Sequence, residues 1–435
     1  METAAEMRPT TERVERFRLL RPLQHRDFRL LWVGQGVSLL GDQFQAVALA
    51  WLVLSLTGSG LALGLVFVAS AIPRAIFILV GGALADRFEP RRLLLFSDIV
   101  RGLTVGVLTV LVISDNIEIW HLIVMGVLFG TVDALFFPAL NTIVPSLVET
   151  DRLEAANAIV QGTSQLTGLI GPAVAGVLVA VVGTGAAFAI DTASFAVAAL
   201  CLAAIRPRPR TVQAPAASSS DAAAKPSLWG EIRAGVRYAM SDPAIATLLI
   251  LSAALNLAFS GPIAVGLPWL ASERFGGDAA LFGLMIAGFG AGALIGAIAA
   301  GSLPRPRRTG RLLMAVGFGL GIGMGAIGLA PNALAVIALL AAMGLGIGYV
   351  NVIVIAWLQA RIDPEMRGRV MGLVMLASFG LAPISLVIAG LLVDIAATAM
   401  FLAAGGIVLA AIGVGLLSGA AHRLDLPPAP EGVLP

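Results

Sequence analysis

Long apolar runs alternate with short polar stretches along the whole chain, in two groups of six runs. Each run exceeds the roughly 18 residues needed to cross a bilayer, because a helix rises about 1.5 Å per residue and the hydrocarbon core is about 30 Å thick. The pattern predicts an all-α membrane protein whose twelve transmembrane helices form two six-helix bundles, with spans at residues 28–56, 61–85, 92–114, 119–143, 155–182, 185–205, 244–271, 279–302, 311–330, 333–359, 368–393 and 396–419.

Polar segments divide the chain around these bundles. Residues 206–227 are rich in Pro, Ala and Ser, which is typical of a flexible linker. Residues 228–240 place Trp229, Val236 and Met240 on one helical face, which predicts a helix lying on the membrane surface. The predicted organisation is an N-terminal tail (1–27), a first bundle (28–205), a linker with the surface helix (206–243), a second bundle (244–419) and a C-terminal tail (420–435).

The composition also indicates a membrane protein. Only 12% of the residues are charged, against about 25% in soluble proteins, and the mean hydropathy is +0.94. The single cysteine, Cys201, excludes an internal disulfide or a metal site built from several cysteines. The polar N-terminus lacks the short apolar core of a cleavable signal peptide, so none is expected.

Basic residues mark one side of the membrane. Of the 28 Lys and Arg residues, all but Arg74, Arg101 and Arg274 fall in the two tails and in the even-numbered loops. Cytoplasmic loops retain Lys and Arg, so we expect a multi-pass protein of the cell membrane with both termini in the cytoplasm. This distribution explains the basic pI of about 9.2 without a nucleic-acid partner.

The two halves of the chain resemble each other. "MGVLFGTVDALFFPALN" (125–141) aligns with "MGLGIGYVNVIVIAWLQ" (343–359) at a shift of 218 residues. Residues 82–94 align with 301–313 at a shift of 219. A parallel repeat of six helices is typical of transporters that rock about a binding site near the membrane midplane.

The stretch "GGALADRFEPRRLLLFSDIVRG" (81–102) resembles the loop motif between helices two and three of the major facilitator superfamily. It departs from that motif at Glu89 and Pro90, where the superfamily has a glycine. With an acidic residue at this position, the loop resembles that of the drug and siderophore exporters of the superfamily, the macrolide- and enterobactin-type branch. The resemblance extends over nearly the whole chain, through residues 25–43, 135–159 and 168–176.

In that superfamily, the aspartate matching Asp86 bonds to neighbouring helix ends and holds the outward-facing state together. The resemblance therefore implies a cytoplasmic gate. For the arginines an alternative stays open, namely that they only obey the charge rule for cytoplasmic loops. The gate residues are Gly82, Asp86, Arg87, Arg91 and Arg92.

Residues 162–176 resemble the antiporter motif of span five, through Gly168, Gly171, Pro172 and Gly176. A proline bends the helix, and glycines let another helix approach closely. We expect this face to form a seam with the glycines of span eight, and the alternative is ordinary glycine-mediated packing. The span-eight glycines are Gly288, Gly292 and Gly296.

Several ionisable residues lie inside the spans, where a charge costs ~2.5–3.5 kcal/mol at a helix centre. Asp42 in span one lies ~21 Å from the cytoplasmic side, and Arg74 in span two and Asp133 in span four lie ~18 Å from it. An Asp42–Arg74 ion pair is therefore possible, and a proton or a substrate cation would compete with it. Asp98 and Arg101, three residues apart in span three, are expected to form a structural ion pair.

The superfamily architecture places spans one, four, seven and ten around a central cavity. For the amides Asn256 and Asn351, the alternative to contact with a ligand is hydrogen bonding between helices, and each such bond contributes about 0.6 kcal/mol. For the acids a function is favoured, because an acid is more expensive to bury than an amide. The resemblance implies a proton-coupling or substrate cavity lined by Asp42, Arg74, Asp133, Gln43, Asn256, Tyr349 and Asn351.

Together these features predict a secondary active transporter that exports a small amphipathic organic compound, drug- or siderophore-like, by proton-coupled alternating access. The alternatives are an uptake permease or lysolipid flippase of the same fold, and a scaffold protein whose halves do not alternate. No enzyme is expected, because the three histidines lie in the tails or at loop edges. An ATP-driven pump is not expected either, because the sequence contains no P-loop motif. The expected partners are a small-molecule substrate, protons and the bilayer, with no cofactor, no metal and a monomeric state.

Overall fold

The computed structural model describes residues 20–206, 228–304, 306, 308–362 and 366–425, and all regular secondary structure in them is helical. Residues 1–19, 207–227 and 426–435 of the predicted tails and linker lie outside the described residues. The helices are α1 (Arg26–Thr57), α2 (Gly60–Arg87), α3 (Pro90–Ile113), α4 (Ile119–Leu147), α5 (Leu153–Ala204), α6 (Leu228–Ser241), α7 (Pro243–Gly261), α8 (Ala279–Ser302), α9 (Thr309–Leu329), α10 (Ala333–Arg361), α11 (Arg367–Phe379), α12 (Ala382–Leu417) and α13 (Ala420–Asp425).

The described residues contain ten helical segments that are long and apolar enough to cross a membrane. α7 belongs to one of them, because it continues through π-helical turns as far as Arg274. The segment predicted as a surface helix, 228–240, is helical and forms α6. On α6, Val236 and Met240 are exposed while Ala239 is buried.

Two of the ten segments are broken in the middle. α5 has 52 residues, and a straight helix of that length would measure about 78 Å, more than twice the hydrocarbon thickness. Its helical geometry stops at Gly183, where φ is 83° and ψ is 170°. α12 has 36 residues and breaks at Ala396, where φ is −157° and ψ is 68°. Gly183 lies between the predicted spans 155–182 and 185–205, and Ala396 is the first residue of the predicted span 396–419.

The chain divides into two compact units. The first comprises Met1–Leu49 and Ala69–Val212, and the second comprises Ala50–Val68 and Gln213–Pro435. In the first unit, α3 packs against α4 and α5. An apolar cluster that includes Phe28, Leu94 and Phe136 fills one end of this unit.

In the second unit, α8 packs along α10, α9 packs along α12, and α7 also lies against α12. Small residues allow the closest of these approaches. A side chain at Gly292 would meet the backbone of Ala341, and one at Gly348 would meet the backbone of Ala293. The glycine face of span eight, expected to meet span five, is therefore occupied by α10, because α10 presents its own small residues at the matching height.

Candidate functional site

Asp133 on α4 lies between two arginines inside the first unit. One carboxylate oxygen forms an ion pair with Arg101 of α3, whose side chain is only 3% exposed. The other oxygen lies 3.5 Å from the guanidinium of Arg74 on α2, whose side chain is 46% exposed. One carboxylate therefore joins three helices, with one arginine sealed inside the unit and the other partly open.

Aromatic rings surround the guanidinium of Arg101. Its central carbon lies 4.5 Å from the ring centre of Phe136 and 5.9 Å from that of Phe195. The ring faces attract the cation and, being apolar, exclude water from it. Removing the partner of such a buried charge is strongly destabilising. Asp133 is therefore what allows Arg101 to remain charged inside the unit.

Asp98 is fully buried one turn before Arg101 on α3. It accepts a long hydrogen bond, 3.5 Å, from Nε2 of Gln35 on α1. The ion pair expected between Asp98 and Arg101 is replaced by the pair of Arg101 with Asp133, and Arg74 also turns to Asp133 rather than to Asp42. The depth of each ionisable group in the membrane follows from its position along the helix, but the direction of its side chain does not. The carboxylate of Asp133 has two oxygens, one for each arginine.

Asp42 on α1 is half-buried, and no described residue forms an ion pair or a hydrogen bond with its carboxylate. It lies within electrostatic range of Arg101 and Asp133, and also of Asp98 and Asp191. The interior of the first unit therefore holds four acids and two arginines.

Asp191 on α5 is the acid that the sequence did not single out. The residue is fully buried. Its carboxylate accepts a 3.1 Å hydrogen bond from Oγ of Ser194, and both side chains fill the space beside Gly41. The available signal was this glycine next to Asp42, because a glycine in a span makes room for a side chain from a neighbouring helix.

The antiporter-type motif of α5 contacts α1. The space where a Cβ of Gly171 would lie is occupied by the side chain of Gln43, one of the predicted cavity residues. Pro172 and Gly176 are buried, whereas Gly168 is exposed. The motif therefore holds Gln43 against the proline-containing part of α5.

The predicted polar residues of spans seven and ten lie in the second unit. Asn256 on α7 donates hydrogen bonds to Oγ of Ser260, at 3.0 Å, and to the backbone carbonyl of Ser378 on α11. Tyr349 is half-buried and Asn351 is exposed on α10. The structure thus engages Asn256 in interhelical hydrogen bonding, the alternative that the sequence left open for the amides.

The predicted gate is described in part. Arg91 donates to the backbone carbonyls of Leu202 and Ala203, at 2.8 and 2.7 Å, and so caps the C-terminal end of α5. Cations are favourable there because the last carbonyls of a helix lack partners. Arg92 forms an exposed pair with Glu89 at 2.8 Å. The side chains of Gly82, Asp86 and Arg87 lie outside the described residues.

Helices long and apolar enough to cross a membrane, with a network of ion-paired charges among them, are typical of a multi-span membrane transporter. The model of a family described as "Transmembrane secretion effector" matches residues 18–429, and the chain belongs to this family of the major facilitator superfamily.

Relatives and solved structures agree with this assignment. Macrolide efflux protein A of Streptococcus pyogenes is 24% identical over 402 residues, covering 92% of this chain and 97% of the relative. Enterobactin exporter EntS of Escherichia coli is 25% identical, covering 80% of this chain and 81% of the relative. The structure of a bacterial homologue of the iron transporter ferroportin, in the inward-facing state, has a TM-score of 0.69 at 17% identity and covers 92% of this chain and 99% of that one. The last likeness shows a shared fold.

Proposed function

We propose that this protein exports small amphipathic organic compounds, drug- or siderophore-like, in exchange for protons. The observation that carries the proposal is the network in which Asp133 holds Arg101 and Arg74 while Asp42 stands nearby without a described partner. Ionisable groups inside membrane spans are expensive and mark ion and substrate pathways. The relatives named for macrolide efflux and enterobactin export support the direction and the class of cargo.

Asp42 is the acid we assign as the proton carrier. The charge of Asp133 is already balanced by two arginines, and Asp98 and Asp191 are fully buried. Asp42 is half-buried and has no described partner, so a proton or a cationic group of the cargo would neutralise it in turn. Competition between the two for one carboxylate is the simplest way to couple proton entry to export.

The transport cycle requires two bundles that rock about a central site. The ten apolar segments would make twelve crossings, because α5 and α12 each hold one break, at Gly183 and Ala396. The distribution of basic residues supports cytoplasmic termini. We assign alternating access to these twelve helices, as in other parallel six-helix repeats.

The test measures uptake of a radiolabelled macrolide into inverted membrane vesicles under an imposed pH gradient. We expect the macrolide to accumulate in inverted vesicles that have an acidic lumen. The Asp42→Asn variant should fold but should lose this accumulation. Asp42→Glu is the matched control, because it keeps the carboxyl group, and should retain part of the activity. Full activity of Asp42→Asn would exclude this acid as the carrier. Accumulation only in right-side-out vesicles would favour the uptake permease, and transfer of lysolipid without macrolide transport would favour the flippase.

A further inference from the structure

The hairpin of α1 and α2 is divided between the two compact units. Its tip, Ala50–Val68, groups with the C-terminal helices, whereas the remaining parts of α1 and α2 group with the first unit. Both helices run continuously through the division. The tip is therefore covalently part of the N-terminal helices but packs with the C-terminal ones.

A single carboxylate holds the tip in place. Asp394 of α12 accepts three hydrogen bonds from the start of α2: from Oγ of Ser59 at 2.9 Å, from the backbone N–H of Gly60 at 2.7 Å and from that of Leu61 at 3.2 Å. The first N–H groups of a helix lack intrahelical partners, and the helix dipole favours a negative charge beside them. Asp394 therefore caps a helix that reaches it from the other half of the sequence.

The packing around this cap is close. A side chain at Gly60 would meet Val393, and one at Gly64 would meet the backbone of Leu386 and Gly390 on α12. Glycines at four-residue spacing thus let α2 lie directly on α12 behind the cap. The contact has both a small-residue face and a set of charge-assisted hydrogen bonds, so it can form and break as one unit.

We propose that Asp394 and the start of α2 form a latch that keeps the extracellular end of the transporter closed. The assignment of this latch to the extracellular side, and the need for that side to open, rest on the proposed function. In the closed state the carboxylate caps α2, and in the outward-open state the tip leaves α12 and the cap is lost. The latch sets the balance between the two states, because only the closed state gains its three hydrogen bonds.

The test uses Val393→Cys as a reporter in a Cys201→Ser background. Val393 is fully buried and lies against Gly60, so the reporter should react with a water-soluble maleimide only when the tip leaves. Asp394→Ala should raise the labelling rate roughly tenfold or more, since charge-assisted hydrogen bonds are lost. Ser59→Ala removes one of the three hydrogen bonds to Asp394, together with the 3.4 Å bond that the same hydroxyl accepts from the backbone N–H of Ala62, and should raise the rate less. Should Asp394→Ala prove too unstable to purify, Ser59→Ala alone still decides the question.

Asp278→Ala is the matched control. Asp278 also caps a helix, accepting from the backbone N–H of Leu281, but both residues belong to the same helix start. Its loss should leave the labelling rate unchanged. Equal rates for Asp394→Ala, Ser59→Ala and the unmutated reporter would overturn the latch. Labelling does not require transport, so failure of the vesicle assay would refute the proposed function and leave this result standing.

Discussion

The two arginines beside Asp133 make different contributions although they share one partner. Arg101 is 3% exposed and packs on Phe136, and Asp133 is the carboxylate that forms an ion pair with it. Arg74 is 46% exposed and can exchange its partner for water or for another anion at small cost. At the residue scale, Arg101 therefore fixes the network, and Arg74 is the member that can exchange its partner.

This difference predicts the stability of two matched variants. Arg101→Met should destabilise the protein by about 3–5 kcal/mol, because it opens a buried ion pair and removes the contact with Phe136. Arg74→Met should cost about 0–1 kcal/mol, because Asp133 keeps its pair with Arg101. Thermal unfolding in detergent measures both. Adding Asp133→Leu to Arg101→Met should recover part of the loss, and equal losses for the two arginine variants would contradict the assignment.

The sequence identifies the important ionisable residues, but it does not identify which of them form ion pairs. The cost of burying charge singles out Asp42, Arg74 and Asp133 from the sequence alone. Their depth also follows, because a helix rises by a constant amount per residue. The direction in which each side chain points depends on how the helices are rotated against each other. That rotation is set by packing, which is why Arg101 meets Asp133 rather than Asp98.

At the scale of elements, the break inside α5 depends on one glycine. At Gly183 the backbone has φ of 83° and ψ of 170°, a conformation essentially reserved for glycine. The positions of the spans were predictable because apolar runs of membrane width are long and unambiguous. It was not predictable that the break between spans five and six is made at a single residue, since this depends on the dihedral angles of Gly183.

Gly183→Ala should therefore destabilise the protein by about 1–3 kcal/mol, although nothing lies close enough to clash with the added methyl group. Gly162→Ala is the control on the same helix. Gly162 also has open space around it but lies within regular helix, so alanine there should be neutral or stabilise by up to about 1 kcal/mol. Thermal unfolding of the two variants separates backbone strain from side-chain crowding, and an unaffected Gly183→Ala would show that α5 does not need this turn.

At the scale of the whole molecule, the distribution of charged residues predicts the orientation in the membrane. The basic residues gather in tails and even-numbered loops, and retention of Lys and Arg in the cytoplasm is an effect of insertion rather than of packing. The loop between α3 and α4 and the loop between α4 and α5 should consequently face opposite sides. Asn116 lies in the first of these loops and Glu149 in the second, and both are exposed.

Cysteine labelling on intact cells tests this orientation. In a Cys201→Ser background, we expect a membrane-impermeant maleimide to label Asn116→Cys in intact cells and to label Glu149→Cys only after the cells are permeabilised. The two variants control for each other, because both cysteines replace exposed polar residues in short loops between apolar helices. Labelling in the reverse order would place the termini outside the cell. It would also move the latch at Asp394 to the cytoplasmic face, because the α1–α2 loop lies on the same side as the α3–α4 loop when each helix crosses once.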